Sequence, residues 1–153
     1  MEALSESWLE LGALFLSAFV SATILPGTSE AVLIGVLATA SAAAWAAVGI
    51  ATIGNLMGSI LNWAIGKYLA SFRYHKRFPV SPEKIAKAEA LYAKYGIWTL
   101  LLSWLPLFGD ALTIVAGLLR APLWIFILFV TIAKGARYAA VAGAVGLGLS
   151  FWK

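Results

Sequence analysis

Five ionisable residues lie within or beside long apolar stretches, and their side chains are the ones that could do chemistry: Glu30, Asp110, Arg120, Lys134 and Arg137. An ionisable group at membrane depth costs roughly 2.5–3.5 kcal/mol on insertion scales, so such a residue is by default a candidate functional residue. Two acids and three bases in these positions indicate proton binding and anion binding.

The two acids each follow a break in an apolar run. Glu30 stands four residues after Pro26, and Asp110 stands four residues after Pro106. A carboxyl group in low-dielectric surroundings is suited to bind and release a proton during transport. Alternatively, each acid only caps the helix that follows it and satisfies the positive end of the helix dipole. We favour proton coupling, because a Ser or Asn could cap without the cost of a charge.

The three bases offer donors for an anionic headgroup. Arg120 could snorkel to the membrane surface or hold a phosphate with its planar fork of donors. Lys134 and Arg137 are three residues apart and are therefore neighbours on one helix face. They lie too deep in the last apolar run to snorkel easily, so they must face a partner inside the protein. That partner is either one of the acids, Glu30 or Asp110, or an anionic headgroup.

The composition indicates that these residues belong to a membrane protein. Of the 153 residues, 62% are hydrophobic and 12% are charged, whereas an ordinary soluble domain has about 45–50% apolar and about 25% charged residues. Residues 44–65, 96–119 and 122–152 each supply the roughly 20 apolar positions that cover a bilayer core. The chain is therefore predicted to form a single integral membrane domain.

Several classes of function lack support in the sequence. Cysteine is absent and His75 is the single histidine, so disulfides, thiol catalysis and a metal centre are not expected. We find no nucleophile elbow, no Walker loop and no carboxylates at metal-binding spacing, so neither an enzyme nor a cofactor is predicted.

Basic residues are concentrated in one short stretch. Seven of the eleven lie between hydrophobic segments: Lys67, Arg73, Lys76, Arg77, Lys84, Lys87 and Lys94. Orientation in the membrane and contact with anionic lipids explain this cluster better than nucleic-acid binding does. By the positive-inside rule, residues 67–96 are predicted to be cytoplasmic.

Two apolar runs are interrupted near their middles. The first breaks at Pro26 and Gly27, and the other at Pro106 and Gly109. Proline and glycine break helices, and neither half of the first run reaches the length of a span. We therefore predict two re-entrant helical hairpins, the first within residues 1–43, together with the N-terminal segment, and the second at 97–121.

The two halves of the chain form a weak internal repeat. Residue i matches residue i+80 at Leu25, Pro26 and Ala31, and the two acids coincide. If residues 67–96 are cytoplasmic, the first hairpin enters from the outer face and the second from the cytoplasm. The predicted fold is all-α, with two inverted units of hairpin plus spanning helix, as in secondary transporters. The spanning helices are predicted at 44–70 and 122–153.

Between these units, residues 71–96 are predicted to form an amphipathic linker whose helix begins at Ser81-Pro82-Glu83 and lies on the cytoplasmic interface. In the first spanning helix, Gly54, Gly58 and Gly66 recur at helical spacing and predict a close packing seam. Asn62, on the same helix, either belongs to this seam or lines a polar cavity.

These residues resemble the DedA family, also called the SNARE-associated Golgi or VTT family, and most closely its short YqaA-like branch. The resemblance covers nearly the whole chain and implies a bacterial inner-membrane protein that moves lipids between leaflets. Larger relatives are proposed to return undecaprenyl phosphate in a manner that depends on the proton-motive force. The matching stretches are Leu25-Pro-Gly-Thr-Ser-Glu30, the helix from Gly54 to Lys67, Ser103-Trp-Leu-Pro-Leu-Phe-Gly-Asp110 and Val115-Ala-Gly-Leu-Leu-Arg120.

By position, Glu30 resembles the family's membrane acid, and Arg120 resembles the arginine after its Val-Ala-Gly element. Larger relatives carry an arginine where this chain has Gly109, and commonly an acid where it has Ser59. One phosphate ligand of the larger relatives is thus missing, and the bases of the last apolar run could replace it.

The sequence therefore predicts a proton-coupled inner-membrane transporter that moves an anionic phospholipid-like molecule between leaflets. Glu30 and Asp110 would couple protons, and Arg120, Lys134 and Arg137 would bind the headgroup. The alternatives are a structural or assembly protein whose buried charges only pair with each other, and a small ion or proton channel. Membrane lipids are the expected partners, and a domain with only two full spans is expected to form a homodimer.

Overall fold

Every regular element that the computed structural model describes is helical. It describes residues 2–23, 28–39, 43–72, 75, 78, 80–106 and 108–151, with the backbone alone at 2–7 and 149–151. The predicted break residues Pro26 and Gly27 lie outside these ranges. The helices are α1 (Glu2–Ser21), α2 (Thr28–Thr39), α3 (Ala44–Tyr68), α4 (Pro82–Tyr95), α5 (Phe108–Leu118) and α6 (Leu123–Phe151), with 3₁₀ segments at Ala70–Phe72 and Gly96–Trp104.

Two helices in the described part of the chain, α3 and α6, are long and apolar enough to cross a membrane. They run antiparallel. The rings of Trp63, late in α3, and Phe126, early in α6, lie 6.3 Å apart, whereas Asn55 in mid-α3 bonds to Tyr138 in mid-α6. The two segments predicted to span thus form two antiparallel helices that are capable of spanning by length and composition.

The first hairpin, formed by α1 and α2, packs along α3 from near its start to Asn62. α1 ends beside the later part of α3, where Asn62 donates a hydrogen bond to the carbonyl oxygen of Ala22. α2 leads back, and its Val36 shares a core cluster with Ala47 near the start of α3. Both arms thus extend towards the beginning of α3, and the end of α1 lies beyond the middle of α3.

The second hairpin consists of the long 3₁₀ segment (Gly96–Trp104) and α5. α4 ends at Gly96, whose φ of 61° lets the chain change direction without a loop. The sequence predicted a helical arm here but not its 3₁₀ form. Nine residues in 3₁₀ geometry cover about 18 Å, about 4 Å more than in an α-helix. Because of this longer rise, an arm of only nine residues reaches the turn at Pro106.

α4 begins as the sequence predicted, with Ser81 at the N-cap and Pro82 at the first helical position. An amphipathic pattern does not distinguish a lipid surface from a protein face as its partner. The structure gives the apolar stripe of α4 a protein partner, because Ile85 and Ala88 share a buried cluster with three residues of α5: Ala111, Leu112 and Val115.

Candidate functional site

The two acids each lie in the first turn of the second arm of a hairpin. Glu30 is the third residue of α2, and Asp110 is the third residue of α5. The partial positive charge at a helix N-terminus favours a carboxylate there. Both carboxylates are partly buried, with 30% and 22% of their side chains exposed. The hairpin geometry therefore places both acids at the tips.

The two bases of α6 meet these acids. Arg137 Nε donates to Glu30 Oε1 at 2.6 Å, and Lys134 Nζ lies 3.6 Å from Asp110 Oδ1. The side chain of Lys134 is only 3% exposed and that of Arg137 is 16% exposed. One face of α6 thus binds the tips of both hairpins, as expected for bases that lie too deep to snorkel.

Arg137 makes a second contact, to the arm of the other hairpin. Its Nη1 atom donates to the backbone carbonyl oxygen of Trp104 at 3.1 Å. Trp104 is the last residue of the long 3₁₀ segment, where carbonyl groups lack partners within the helix. Arg137 therefore bridges the first hairpin, through Glu30, and the second, through Trp104.

A neutral polar cluster that the sequence analysis missed lies beside the Glu30–Arg137 pair. Ser29 Oγ is 2.8 Å from the hydroxyl of Tyr138, and Asn55 Nδ2 donates to the same hydroxyl at 3.0 Å. Asn55 also donates to the carbonyl oxygen of Ala18 at 3.1 Å, while its own Oδ1 has no partner among the described residues. Polar residues inside apolar helices were the signal that could have identified this cluster.

Asn62 joins the two hairpins. Its Nδ2 atom donates to the Ala22 carbonyl oxygen at 2.7 Å and lies 3.3 Å from Thr113 Oγ1. Thr113 in turn donates to the backbone carbonyl oxygen of Asp110 at 2.7 Å. In a membrane the free carbonyls at a helix break need partners inside the protein, and Asn62 supplies one. It is 2% exposed and lies in the packing seam.

Three of the four glycines of α3 lie where other helices approach its backbone. Gly54 and Gly58 face the backbone of α1, and Gly66 faces the backbone of Ile114 in α5. Gly117 of α5 reciprocally faces the backbone of Trp63. Any Cβ atom at Gly66 or Gly117 would collide with main-chain atoms. These close approaches fix the positions of both hairpins on α3.

The residues of the second break divide between a turn and a helix. Pro106 lies in the turn that follows the 3₁₀ segment, but Gly109 lies in the first turn of α5. The prediction that Gly109 forms part of the break is therefore corrected. Its lack of a side chain instead permits the backbone of Ser103 to approach.

Arg120 lies apart from the other charged residues. It follows α5, is exposed, and has a φ of 54°. Lys134 is eleven residues into α6 from its start at Leu123, which is roughly 17 Å along the helix axis. The structure therefore brings together Glu30, Asp110 and the two bases of α6, but not Arg120. Within the described ranges, no three His, Cys, Asp or Glu residues cluster in a way that could hold a metal ion.

Residues 25–147 match the family model described as the VTT domain. The chain is 39% identical over 144 residues to inner membrane protein YqaA of Escherichia coli (strain K12) and to the protein of the same name in Shigella flexneri; each alignment covers 94% of this chain and 96% of the relative. A Haemophilus influenzae protein named as uncharacterized is 34% identical over 137 residues, covering 84% of this chain and 82% of the relative. No solved structure matches.

Proposed function

The chain belongs to the VTT domain family, and from this premise we propose that it is an inner-membrane transporter that moves an anionic lipid between leaflets in exchange with protons. The relatives are named inner membrane proteins, and α3 and α6 have the length and composition of membrane spans. The observation that carries the proposal is the meeting of two carboxylate–cation pairs at the hairpin tips, midway along the bundle.

The proposed arrangement in the membrane is two hairpins that enter from opposite faces. Two observations support this arrangement. The first hairpin extends towards the start of α3, whereas α5 packs against the end of α3 at Gly66. Both hairpins contact Asn62, which lies between these two points. Exposed tryptophans near both ends of the bundle, Trp45 and Trp124, suit the two interfaces. The basic stretch after α3 orients residues 67–96 towards the cytoplasm.

Proton coupling would follow from competition for the guanidinium group of Arg137. The charged carboxylate of Glu30 holds that group through a charge-assisted hydrogen bond. Protonation of Glu30 removes the negative charge and frees the Nε donor, so that Arg137 holds a phosphate group more tightly. Deprotonation restores the pair and weakens the hold on the anion. Asp110 and Lys134 would act in the same way at the other tip, and Arg120 would bind the headgroup at the end of α5.

The test is lipid translocation in proteoliposomes with an imposed pH gradient. Fluorescent phosphatidylglycerol is placed in one leaflet, and a membrane-impermeant reductant reports how fast it reaches the other. We expect wild-type protein to show gradient-dependent translocation and Glu30→Gln to fall to the protein-free rate. Glu83→Gln is the matched control, because Glu83 is an exposed acid on α4. Unchanged gradient dependence in Glu30→Gln would refute proton coupling through this residue.

The pairing of both α6 bases also favours a second candidate, a structural or assembly protein whose buried charges only neutralise each other. Exchanging the partners, Glu30→Arg with Arg137→Glu, separates the two functions. An assembly protein should retain envelope-stress complementation with the exchanged pair, because attraction is preserved. A transporter should lose complementation, because the proton-binding acid and the anion-binding base have exchanged positions. Proton flux without lipid translocation in the same vesicles would instead indicate a channel.

A further inference from the structure

Arg137 opens onto a groove on the outside of the bundle, whereas Lys134 does not line it. The groove has a volume of about 370 Å³ and lies between the long 3₁₀ segment and α6. We name it the Arg137 groove. Its walls include Leu101 and Trp104 on one side and Ile132, Ala136, Arg137 and Ala140 on the other.

The shape of the Arg137 groove follows from small residues on α6. Ala136 and Ala140 are one helical turn apart and leave a trough, while Ile132 and Trp104 flank it with 53% and 45% of their surfaces exposed. Apart from Arg137, these lining side chains are apolar. Such a surface is suited to a hydrocarbon chain, and its volume lies within the range of about 300–1,000 Å³ of small-molecule sites.

The chemistry of the groove is set by Arg137, which is the fifteenth of the 29 residues of α6. A guanidinium group has five N–H donors in a fixed fork, and the described hydrogen bonds use Nε and Nη1, to Glu30 and Trp104. The remaining donors suit a phosphate, which accepts bidentate hydrogen bonds from arginine. Because the groove is apolar elsewhere, the anion must carry its own hydrocarbon.

We propose that the Arg137 groove holds an acyl chain of an anionic phospholipid whose phosphate is bound by Arg137. This inference rests on the proposed function and adds to it the place where the lipid enters the protein. A zwitterionic lipid also carries a phosphate, but its own cation offsets that charge, so an anionic lipid gains more from the guanidinium group of Arg137. A free phosphate would not be transferred into apolar surroundings without a hydrocarbon chain. The headgroup is thereby held halfway between the two leaflets.

The chain contains no cysteine, so a single engineered thiol gives one labelling site. Ile132→Cys carries a bimane fluorophore at the edge of the groove, which we name the groove label; the trough between Ala136 and Ala140 stays open. Leu61→Cys carries the same fluorophore as the control label, because Leu61 is 44% exposed on α3 and lies at a similar depth. The depth follows from the antiparallel helices, in which Asn55 bonds to Tyr138: six residues later in α3 corresponds to six residues earlier in α6.

Both labelled proteins are placed in vesicles of phosphatidylglycerol and phosphatidylcholine, with bromine on the acyl chains of one lipid or the other. The overall composition is the same in both arms, and only the quenching lipid changes. At the groove label we expect about fivefold preferential quenching by brominated phosphatidylglycerol, the ratio that one basic side chain gains with an anionic lipid. At the control label we expect equal quenching by the two lipids.

Three further variants test the contact. Arg137→Gln should abolish the preference at the groove label, Arg137→Lys should retain most of it, and Ala140→Trp should lower quenching by both lipids because it fills the groove. The unchanged signal of the control label verifies that each variant is folded in the membrane. Equal quenching at the groove label, or a preference that survives Arg137→Gln, would overturn the proposal.

This measurement needs no pH gradient and no transport, so the two proposals can fail separately. If the preference is absent but Glu30-dependent translocation occurs, the lipid enters elsewhere and the proposed function stands. If the preference is present without translocation, the groove is a lipid-binding site of a protein that does not transport.

Discussion

The acids of the two ion pairs occupy equivalent places in the sequence, yet the pairs differ in geometry. Glu30 and Arg137 are joined by a 2.6 Å hydrogen bond, and both side chains retain some exposure. Asp110 and Lys134 are 3.6 Å apart, and the lysine is 3% exposed. A short, partly exposed pair thus lies at the tip of the first hairpin, and a longer pair with a deeply buried base lies at the tip of the second.

The surroundings of the two bases explain what this difference means. Arg137 is also bonded to the Trp104 carbonyl oxygen and lines a groove, so its guanidinium group can exchange one acceptor for another. Lys134 is 3% exposed, does not line the groove, and has Asp110 as its acid partner. We infer that the Glu30–Arg137 pair exchanges partners more readily, and that the Asp110–Lys134 pair, besides its part in transport, contributes more to holding the second hairpin on α6.

The largest expected effect is on stability, from removing the buried base. Lys134→Met keeps an apolar side chain of similar length, and it should lower the free energy of unfolding by about 3–5 kcal/mol because it leaves Asp110 unpaired. Arg137→Met should cost less, about 1.5–3 kcal/mol, as expected for a charged hydrogen bond. Denaturant titration in detergent micelles, followed by circular dichroism, measures both. If Arg137→Met were the more destabilising, our assignment of the two pairs would be reversed.

A smaller loss of stability is expected from a substitution at the close approach of α5 to α3, which positions the second hairpin. Gly117→Ala would direct a Cβ atom at the Trp63 carbonyl oxygen, and overpacking of this kind costs about 1–3 kcal/mol. Gly143→Ala is the control, because nothing lies within 4 Å of a Cβ atom there. The same denaturant titration compares the two variants, and equal stabilities would mean that this close approach tolerates a side chain.

Double variants sharpen the comparison. Because Gly117 and Asp110 share α5, Gly117→Ala should couple with Lys134→Met by about 0.5 kcal/mol or more. With Arg137→Met it should be additive within about 0.5 kcal/mol, since Glu30 belongs to the other hairpin. Equal coupling to both bases would mean that the two tips move as a single unit.

The residues of the site could be predicted from the sequence, but their pairing could not. The depth of Lys134 and Arg137 in an apolar run required partners inside the protein, and each proline break indicated where an acid would lie. Which acid meets which base depends on the rotation of α6 between the hairpins. That rotation is set by packing between residues far apart in the chain, such as Tyr138 against Asn55 and Ser29.

Two other features could not be predicted from the local sequence: the 3₁₀ geometry of Gly96–Trp104 and the packing partner of α4. The arm Gly96–Trp104 has the apolar composition of an α-helix, yet its first residue has a positive φ and Pro106 follows its end. The stripe of α4 led us to predict a helix on the cytoplasmic membrane interface, and its packing against α5 could not be predicted from it. The general architecture of helices and breaks therefore follows from composition and helix-breaking residues, whereas the 3₁₀ geometry and the choice of partners follow from tertiary contacts.

The smallest expected effect concerns Arg120, at the end of the same hairpin as Asp110. Its φ of 54° lies in the left-handed region. The Ala121 N–H donates to the carbonyl of Ala116 at 2.8 Å, and the Arg120 N–H donates to that of Gly117 at 2.9 Å. This is a Schellman motif, which usually has glycine at the position of Arg120. Arg120→Gly should therefore raise the free energy of unfolding by about 0.5–1 kcal/mol, because relief of strain exceeds the added entropy of the unfolded chain.

We infer that arginine occupies this glycine position because its charge binds the headgroup, and Arg120→Gly tests this role. If Arg120 binds the headgroup, the variant should be more stable in the denaturant titration and slower in lipid translocation, whereas Arg120→Lys should transport at nearly the wild-type rate without gaining stability. If Arg120→Gly is more stable and transports normally, headgroup binding does not involve this residue. The tip bases then carry that task alone, and the second hairpin contributes only its position.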